Sequence, residues 1–400
     1  MTIYRLSRPI RIPDPLRIAR YQRAPELGPK ILFFSGGTAL RDVCVRLIEF
    51  THNTTHLITP FDSGGSSASL RKGWNMLAVG DIRNRIMALA DRTVQGNPEV
   101  TALFAWRFPR DTHDDEALHL ELDRMIRGRH QLIASVPEPM QQIIRNHLGY
   151  FRESMPEAFD LRGASIGNLI LVGGYVNNGR QIDPVIFLFS RLVKARGTVR
   201  PTAHVNVHLV AELEDGTRLV GQHTISGKEA TPIRSPITRL YLTRGDDRET
   251  TAHATDSIQQ LIRDAELICY PPGSLFTSVI ANLLPAGVAQ AVRGNGCPRV
   301  FIPNTAGDPE QFGMTLADSV AQLLRYLRAG CGSEEIPARE LVNAVVIDSV
   351  NGVYAGNSVS GEIRRIEDMG VHVFDTALVT PGSTPLLDPA RLSHALLSMI

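Results

Sequence analysis

The sequence has 400 residues, of which 43% are hydrophobic and 21% are charged, and its formal net charge is +1. A chain of this length can form one large α/β domain with an insertion, or two domains. The balanced charge supplies no basic surface, so we expect no nucleic-acid partner. No apolar run reaches the ~20 residues that cross a bilayer, so we expect no membrane segment. The four cysteines lack paired metal-ligand spacing, which is typical of a reduced, cytoplasmic protein.

The first 30 residues are rich in proline and arginine. Proline discourages regular structure and arginine keeps a segment solvated, so residues 1–30 are predicted to form an extended arm. The arm either lies along the surface as a lead-in to the first strand or packs on another subunit. Residues 31–400 are predicted to form a single α/β domain, with a helical insertion at 92–165 and a β-hairpin excursion at 199–225.

The apolar run Ile31–Phe34 is followed closely by Gly36, Gly37 and Thr38. The run predicts a buried parallel strand, and apolar residues at helical spacing predict a helix over 39–50. The glycines permit a tight turn and a close approach of a ligand, and Thr38 is placed to cap the helix. A strand, a glycine turn and a helix N-terminus together form a phosphate seat. The alternative is an ordinary strand-to-helix turn.

A second short strand is predicted at 56–60 and leads into another loop rich in glycine and hydroxyl groups. This loop contains Asp62, Ser63, Gly64, Gly65, Ser66 and Ser67. Since doubly wound sheets bind ligands at the carboxyl ends of their strands, an aspartate there can hold a metal ion, bond a ribose or act as a base. The last two serines either cap the next helix or donate to a phosphate.

A third polar group, Asp81, Arg83 and Asn84, opens a predicted helix. Asp81 is interpreted as the N-cap of that helix. A cation in the first turn opposes the helix dipole, and a bound anion would remove that conflict, so Arg83 is predicted to face an anionic ligand. Asn168 lies near the start of a later helix, where its amide either bonds a neighbouring backbone group or points into the site.

The stretch at 199–225 alternates polar and apolar residues, and Glu214-Asp215-Gly216 is a hairpin turn signal. The returning strand is predicted over 218–223. The alternating histidines, His204 and His208, are interpreted as the solvated face of the hairpin.

A buried strand is predicted at 265–270, and the loop after it contains Pro272, Gly273, Ser274, Thr277 and Ser278. A strand, a Pro-Gly turn and hydroxyl groups at a helix start form an anion-binding architecture. Asn282 lies one helical turn after Ser278, so both can face the same side. Asn304 follows the next predicted strand, 299–302. The alternation of strands and helices indicates a doubly wound α/β sheet.

These loops resemble, in the same order, those of the CofD/YvcK family. The resemblance implies a Rossmann-like three-layer α/β/α fold with a mainly parallel sheet and one cleft at the strand ends. It implies that the 36–38 turn and the 272–278 loop hold a diphosphate, and that Asp62 contacts a base, a flavin-like ring or a metal ion. The side chains expected to line the cleft are Arg83, Asn84, Asn168, Asn282 and Asn304.

One branch of this family is 2-phospho-L-lactate transferase, and the other is the YvcK-like gluconeogenesis-factor group, which binds UDP-sugars. The loops are more similar to the second branch, although Ser63 stands where that branch has a second aspartate and Ala68 where it has a glycine. Two functions therefore stay open. The first is a phosphotransferase that uses a nucleoside-diphosphate-linked donor and Mg²⁺ at Asp62, and the second is a non-catalytic sensor of a nucleotide-sugar.

A plain dehydrogenase is a weaker alternative, since the first glycine loop lacks the three-glycine spacing. The expected assembly is a homodimer, and the arm or the helical insertion offers a surface for a protein partner.

Overall fold

The computed structural model describes residues 9–227, 232–245, 248–356 and 358–400, apart from the side chain of Ser66. The described chain contains eleven strands: β1 (Ile31–Ser35), β2 (Thr55–Ile58), β3 (Thr198–Pro201), β4 (His208–Leu213), β5 (Arg218–Val220), β6 (Ile237–Thr243), β7 (Glu249–Thr250), β8 (Leu267–Tyr270), β9 (Arg299–Phe301), β10 (Ala344–Ile347) and β11 (His372–Asp375).

Its α-helices are α1 (Pro15–Arg23), α2 (Arg41–Leu47), α3 (Gly65–Trp74), α4 (Gly80–Ala88), α5 (Pro98–Ala105), α6 (Asp115–Ile126), α7 (Gln131–Ala134), α8 (Met140–Ser154), α9 (Ile166–Asn177), α10 (Asp183–Leu192), α11 (Gln222–Ile225), α12 (Asp256–Arg263), α13 (Val288–Gly294), α14 (Leu316–Cys331), α15 (Val359–Asp368) and α16 (Pro389–Ser398). Among the residues described, no helix is both long enough and apolar enough to cross a bilayer.

Seven strands form a parallel sheet in the order β11-β10-β9-β8-β1-β2-β3. The chain runs outward from β1 to β2 and β3 on one side, and later from β8 to β11 on the other. The order therefore reverses between β1 and β8, which is where an open α/β sheet leaves a crevice for a ligand.

The central strand β1 shows why helices cover both faces of the sheet. All five of its residues are buried, and successive side chains point to opposite faces. Ile31 and Phe33 belong to a core shared with α2, α4, α8 and α9, whereas Leu32 and Phe34 belong to a second core shared with α12, α13 and α14. The predicted three-layer α/β/α fold is therefore confirmed.

The prediction of an extended N-terminal arm is wrong over residues 15–23, which form α1. Asp14 caps this helix by accepting hydrogen bonds from the N–H groups of Leu16 and Arg17. Pro15 is tolerated because the first helical residue needs no N–H partner. The backbone N–H of Asp14 also donates to Ser398 Oγ at 2.8 Å, so this segment packs against the last helix. Residues 1–8 of the predicted arm lie outside the described residues.

The helical insertion predicted at 92–165 contains four helices, α5 to α8. They are not peripheral, because Leu122, Met125 and Leu148 belong to the same core as β1. Residues 106–108 then pair with 164–166, through Phe108 N to Ala164 O at 3.0 Å and Ile166 N to Trp106 O at 3.1 Å. This pairing fixes the connection between α5 and α6 beside the start of α9.

The bounds of the predicted β-hairpin excursion, 199–225, are wrong at both ends. Residues 198–201 form β3 of the main sheet, and the hairpin of β4 and β5 continues into β6 and β7 as a four-stranded antiparallel sheet. The predicted turn is present, with Gly216 at a φ of +83°. The returning strand ends at Val220, and residues 222–225 form the helical turn α11 instead.

The contact between α8 and α9 gives a test of the packing. A Cβ added to Gly173 would overlap the carbonyl oxygen of His147, whereas nothing lies within 4 Å of a Cβ added to Gly149 on α8. We expect Gly173→Ala to lower the free energy of unfolding by about 1–3 kcal/mol through overpacking. The matched variant Gly149→Ala should raise it by about 0.5–1 kcal/mol, since alanine is the better helix former.

Urea unfolding of both variants measures these changes. Equal effects of the two substitutions would contradict the close packing of α8 on α9.

Candidate functional site

A polar cleft of about 290 Å³ lies at the carboxyl ends of β1, β2 and β8. Most of the residues predicted from the loops line it: Gly36, Gly37, Thr38, Asp62, Gly64, Gly65, Ser67, Asp81, Arg83, Asn84, Asn168, Pro272, Gly273, Ser274 and Ser278. Ser63, Thr277, Asn282 and Asn304 are not part of this lining, and the side chain of Ser66 is not described. Contact of these residues with a ligand stays a prediction.

The turn after β1 is held from beneath by Arg85. Its guanidinium, which is fully buried, donates to the Gly36 carbonyl at 2.7 Å and to Cys44 Sγ at 2.7 Å. A Cβ added to Gly36 would lie 2.6 Å from Ser278 Oγ, and one added to Gly37 would overlap the Asp81 carboxylate. Three segments thus meet closely at this turn, and only glycine fits there.

The predicted capping role of Thr38 is wrong. Helix α2 begins at Arg41 with Leu40 as its N-cap residue, and no side chain caps it. Thr38 is instead exposed at the cleft. The helix begins later than expected because residues 36–40 form the turn.

The loop after β2 presents Asp62 to the cleft. Asp62 Oδ1 accepts a hydrogen bond from Gly64 N at 3.1 Å, and Arg71 donates to the Asp62 carbonyl at 3.1 Å. Burial lowers the pKa of Arg71 to about 10, against the opposing effect of the Asp62 charge. Gly64 is the N-cap residue of α3, and no side chain caps that helix, so Ser67 is not a cap. A Cβ on Gly80 would lie 2.7 Å from Ser67 Oγ and 3.6 Å from Asp62 Oδ2.

The prediction that Asp81 is the N-cap residue of α4 is wrong, because Val79 holds that position. The carboxylate lies over Gly37 instead. Asp62 and Asp81 therefore place two carboxylates in the cleft, one from the β2 loop and one from α4. Among the described residues no group of three or more His, Cys, Asp or Glu side chains is placed to hold a metal ion.

The other side of α4 is basic. Arg83 is only 6% exposed, and its Nε has no hydrogen-bond partner. Burial and the charge of Arg107 lower the pKa of Arg83 to about 10, while Asp81 opposes them. Gly167 makes room for this side chain, since a Cβ there would lie 2.8 Å from Arg83 Cδ. Asn168 Oδ1, also buried, has no partner.

Sequence reasoning missed Arg107 and Arg110, which line the cleft from the segment predicted as a helical insertion. Arg107 donates to the Gly163 carbonyl at 3.1 Å, and Arg110 packs against the same glycine. We call Arg83, Arg107 and Arg110 the arginine cluster. The Arg-Phe-Pro-Arg run within the predicted helical insertion was the available signal, but only the pairing with residues 164–166 places it at the cleft.

A further wall, also missed, comes from α11. Gln222, His223 and Ser226 line the cleft, and Gln222 Oε1 is buried without a partner. His223 Nδ1 lies 2.8 Å from Ser63 Oγ, so the two sheets are joined beside the cleft. His223 was predicted only as the last residue of the returning strand, and the structure places it on α11 instead.

The predicted anion site at the start of the helix after β8 is already filled by carboxylates. Residues 275–279 form a π-helical turn. Asp308 accepts from Leu275 N at 2.7 Å, while Glu310 accepts from Phe276 N at 3.0 Å and Thr277 N at 2.9 Å. Thr277, fully buried, also donates its hydroxyl to Glu310. This turn leaves Ser274 and Ser278 as its polar groups in the cleft.

Asn282 and Asn304 lie behind the cleft wall rather than on it. Asn282 is fully buried, donates to Ser35 O at 3.2 Å and Ser278 O at 2.8 Å, and accepts from the Thr202 hydroxyl. Asn304 accepts from Gly273 N at 2.8 Å and donates to Gly273 O at 2.6 Å. Both side chains therefore position the loops that line the cleft.

The sheet order and the cleft define a doubly wound α/β protein with a polar cleft at the switch point of its sheet. The chain belongs to the CofD family, because the sequence profile of that family, described as 2-phospho-L-lactate transferase CofD, matches residues 31–379.

Relatives named gluconeogenesis factor cover most of the chain. The Bacillus subtilis protein is 29% identical over 364 residues, which are 88% of this chain and 92% of that protein. The Listeria monocytogenes protein is 25% identical over 377 residues, with 94% and 97% covered. A Nostoc sp. relative with the same name is 29% identical over 321 residues, and the match spans only 55% of its length.

A crystal structure of a UPF0052 family protein from Bacillus halodurans has the same fold. The TM-score is 0.65 at 24% identity, and the match covers 92% of this chain and 99% of that one.

The carboxylates of Asp308 and Glu310, which bind the turn after β8, allow a test by pH. Burial, and after it the charge of Asp308, raises the pKa of Glu310 from 4.5 to about 7, although three hydrogen bonds oppose the shift. The folded state then keeps a proton that the unfolded state releases above pH 4.5, so this residue makes stability fall as pH rises from about 4.5 to about 7. Glu310→Gln should lose this pH-dependent decrease in stability, because glutamine does not titrate. Melting temperatures measured between pH 4.5 and 8 would show the loss.

The control is Glu334→Gln, which changes an exposed carboxylate. If Glu310→Gln retains the pH profile of the unmodified protein, the assignment of a shifted pKa to Glu310 is incorrect.

Proposed function

We propose that the cleft binds a nucleoside-diphosphate-type ligand and transfers or senses the group attached to its phosphates. The observation that carries this proposal is the meeting of two glycine turns, after β1 and β2, with the carboxylates of Asp62 and Asp81 at the switch point of the sheet. Membership of a family described as a phospholactate transferase supports the same class of ligand.

The donor set of this side of the cleft fits Mg²⁺ delivered with phosphates. Mg²⁺ is typically held by one or two carboxylates, with waters and substrate phosphates completing its shell. Asp62 and Asp81 supply two carboxylates, and the described residues offer no larger cluster. We therefore assign Asp62 and Asp81 as the residues that would hold the ion. When bound, the ion would neutralise negative charge on the phosphates, which would otherwise be repelled by the two carboxylates.

In a transferase, the residues of the chain act mainly by positioning. The backbone of the 36–38 turn, fixed by Arg85, and the hydroxyls of Ser274 and Ser278 orient the phosphates. A hydroxyl of the second substrate then attacks the outer phosphorus in line, while the phosphoanhydride bond breaks and the nucleoside monophosphate leaves with its electron pair. The hydroxyl proton passes to solvent, and charge develops on the phosphoryl oxygens. Donors that are already oriented stabilise that charge without reorganisation. This chemistry requires no nucleophile from the protein.

The second candidate function is a regulator that binds a nucleotide-sugar without turnover. The name gluconeogenesis factor, carried by relatives that cover most of this chain, favours a role in carbon metabolism. The two functions share the ligand class and differ in whether the bound ligand is consumed.

Thermal shift tests the ligand class. UDP, GDP, their sugar conjugates and the deazaflavin precursor are each added with and without Mg²⁺. Ligand at a hundred times Kd stabilises by roughly 2.7 kcal/mol, which corresponds to a shift of a few degrees. We expect a Mg²⁺-dependent shift that Asp62→Asn and Asp81→Asn each abolish, because the ion loses a charged ligand.

The control is Asp368→Asn, which changes an exposed aspartate on α15 and should leave the shift intact. Absence of a shift with every nucleotide would refute the proposed ligand class. Phosphorus NMR of the bound ligand separates the two functions, since only a transferase consumes it when the acceptor is added.

A further inference from the structure

We propose that the chain has a second binding site, for a small phosphate monoester, in a basic pocket beside the amino end of β3. This pocket, which we call the edge pocket, has a volume of about 550 Å³ and is lined by residues of the segment 187–200 together with His52, Asp91 and Gln95. It shares no lining residue with the cleft, which lies at the carboxyl ends of the strands. The edge pocket is therefore separate from the site of the proposed function.

The edge pocket lies where the parallel sheet ends. Strand β3 pairs with β2 alone, and α10 ends at Leu192, shortly before β3 begins. Lys194 has a φ of +49°, and the Ala195 N–H donates to the Ser190 carbonyl at 2.8 Å, so the helix ends in a left-handed turn. Glycine is the usual residue at this position of a helix end. Here the position carries a cation that lines the pocket.

Carboxylates balance two of the cations in the lining. Asp91, the single acidic side chain among the described residues of the lining, accepts from Arg196 at 2.7 Å. Arg200 Nε lies 3.8 Å from Asp183, which acts from outside the lining. These two arginines therefore contribute hydrogen-bond donors to the pocket more than they contribute net charge.

Two further cations, Arg191 and Lys194, have no salt bridge in the part of the chain that the structure describes. His52 adds no charge near neutral pH, because burial, and after it the charge of Arg196, lowers its pKa, although Glu26 opposes the shift. The pocket thus has about two positive charges available to a ligand.

The two unpaired cations are held in place by neutral groups. The Arg191 guanidinium lies over the ring of Phe187, 5.1 Å from its centroid, and Lys194 Nζ donates to the Gln95 carbonyl. These contacts orient the side chains and leave their charges unbalanced. Groups that are already oriented lose little conformational entropy when a ligand binds.

The dipole of α10 accounts for only part of this arrangement. Cations are favoured at the carboxyl end of a helix, which is where Arg191 and Lys194 lie. The dipole gives no reason for Arg196 and Arg200, which approach the same pocket from the strand side. Cations from two elements therefore converge on one cavity.

A phosphate monoester fits the charge and the size of the edge pocket. It carries about −1.5 to −2 charges at neutral pH, which matches the two unpaired cations, and arginine binds phosphate oxygens through paired N–H groups. The cavity lies in the range of about 300–1,000 Å³ that is typical of small-molecule sites. The exposed ring of Phe187 offers an apolar surface to the organic part.

Calorimetry with four probes tests the inference: glucose 6-phosphate, glycerol 3-phosphate, inorganic phosphate and glucose. EDTA is present, so that metal-dependent binding in the cleft does not contribute. We expect the phosphate compounds to bind and glucose not to bind, because glucose lacks the negative charges. At least one ester should bind about tenfold more tightly than inorganic phosphate, a difference that calorimetry resolves.

Variants locate the binding. Arg191→Gln and Lys194→Gly should each weaken the binding of the ester about tenfold, since each removes one unpaired cation. Lys194→Gly should also raise the melting temperature, because glycine adopts a positive φ without strain, so its loss of binding cannot come from unfolding. The matched control is Arg107→Gln, which changes an exposed arginine of the cleft and should leave the affinity for the ester unchanged.

Three outcomes would overturn the inference. The first is that no phosphate compound binds, or that neither ester binds more tightly than inorganic phosphate. The second is that glucose binds as tightly as its phosphate ester. The third is that Arg107→Gln weakens the binding while Arg191→Gln and Lys194→Gly retain it, which would place the probe in the cleft. None of these results affects the nucleotide titrations that test the proposed function.

Discussion

The cleft depends on the absence of side chains at Gly36 and Gly37. Ser278 from the turn after β8 and Asp81 from α4 both approach these two residues more closely than any Cβ would allow. Arg85 completes the arrangement, because its buried guanidinium donates a hydrogen bond to the Gly36 carbonyl and fixes the turn. Strand β1, the loop after β8 and helix α4 can therefore meet at one point, and the polar groups that surround this point form the site.

The sequence predicted the fold and the loops well, because both follow from local patterns. The apolar run at 31–34 and glycine turns after several strands indicate a parallel sheet with loops at one edge, and strands of a parallel sheet all end at that edge. Since Asp62 and Asp81 follow such patterns, their place in the cleft could be expected without knowledge of the tertiary structure.

Residues that reach the site through tertiary pairing could not be found in this way. Arg107 depends on the pairing of 106–108 with 164–166, and His223 depends on how the antiparallel sheet packs beside the β2 loop. Thr277 and Asn282 show the converse limit: the sequence predicts that polar residues beside a glycine loop face the ligand, whereas the structure places both side chains outside the lining of the cleft. Both side chains are satisfied by distant partners, Glu310 and Thr202, and no local pattern predicts such partners.

The carboxylates of Asp308 and Glu310 have a consequence for the thermodynamics of binding. They accept hydrogen bonds from the N–H groups of Leu275, Phe276 and Thr277, so the wall of the cleft formed by the turn after β8 is ordered without a ligand. An ordered wall loses little conformational entropy when it is contacted. The wall formed by α11 follows β5 of the separate antiparallel sheet. A hydrogen bond between His223 on α11 and Ser63 joins this wall to the loop after β2. The cleft therefore has one side whose backbone donors are already bound by carboxylates, and a second side that is joined to the β2 loop through Ser63 and His223.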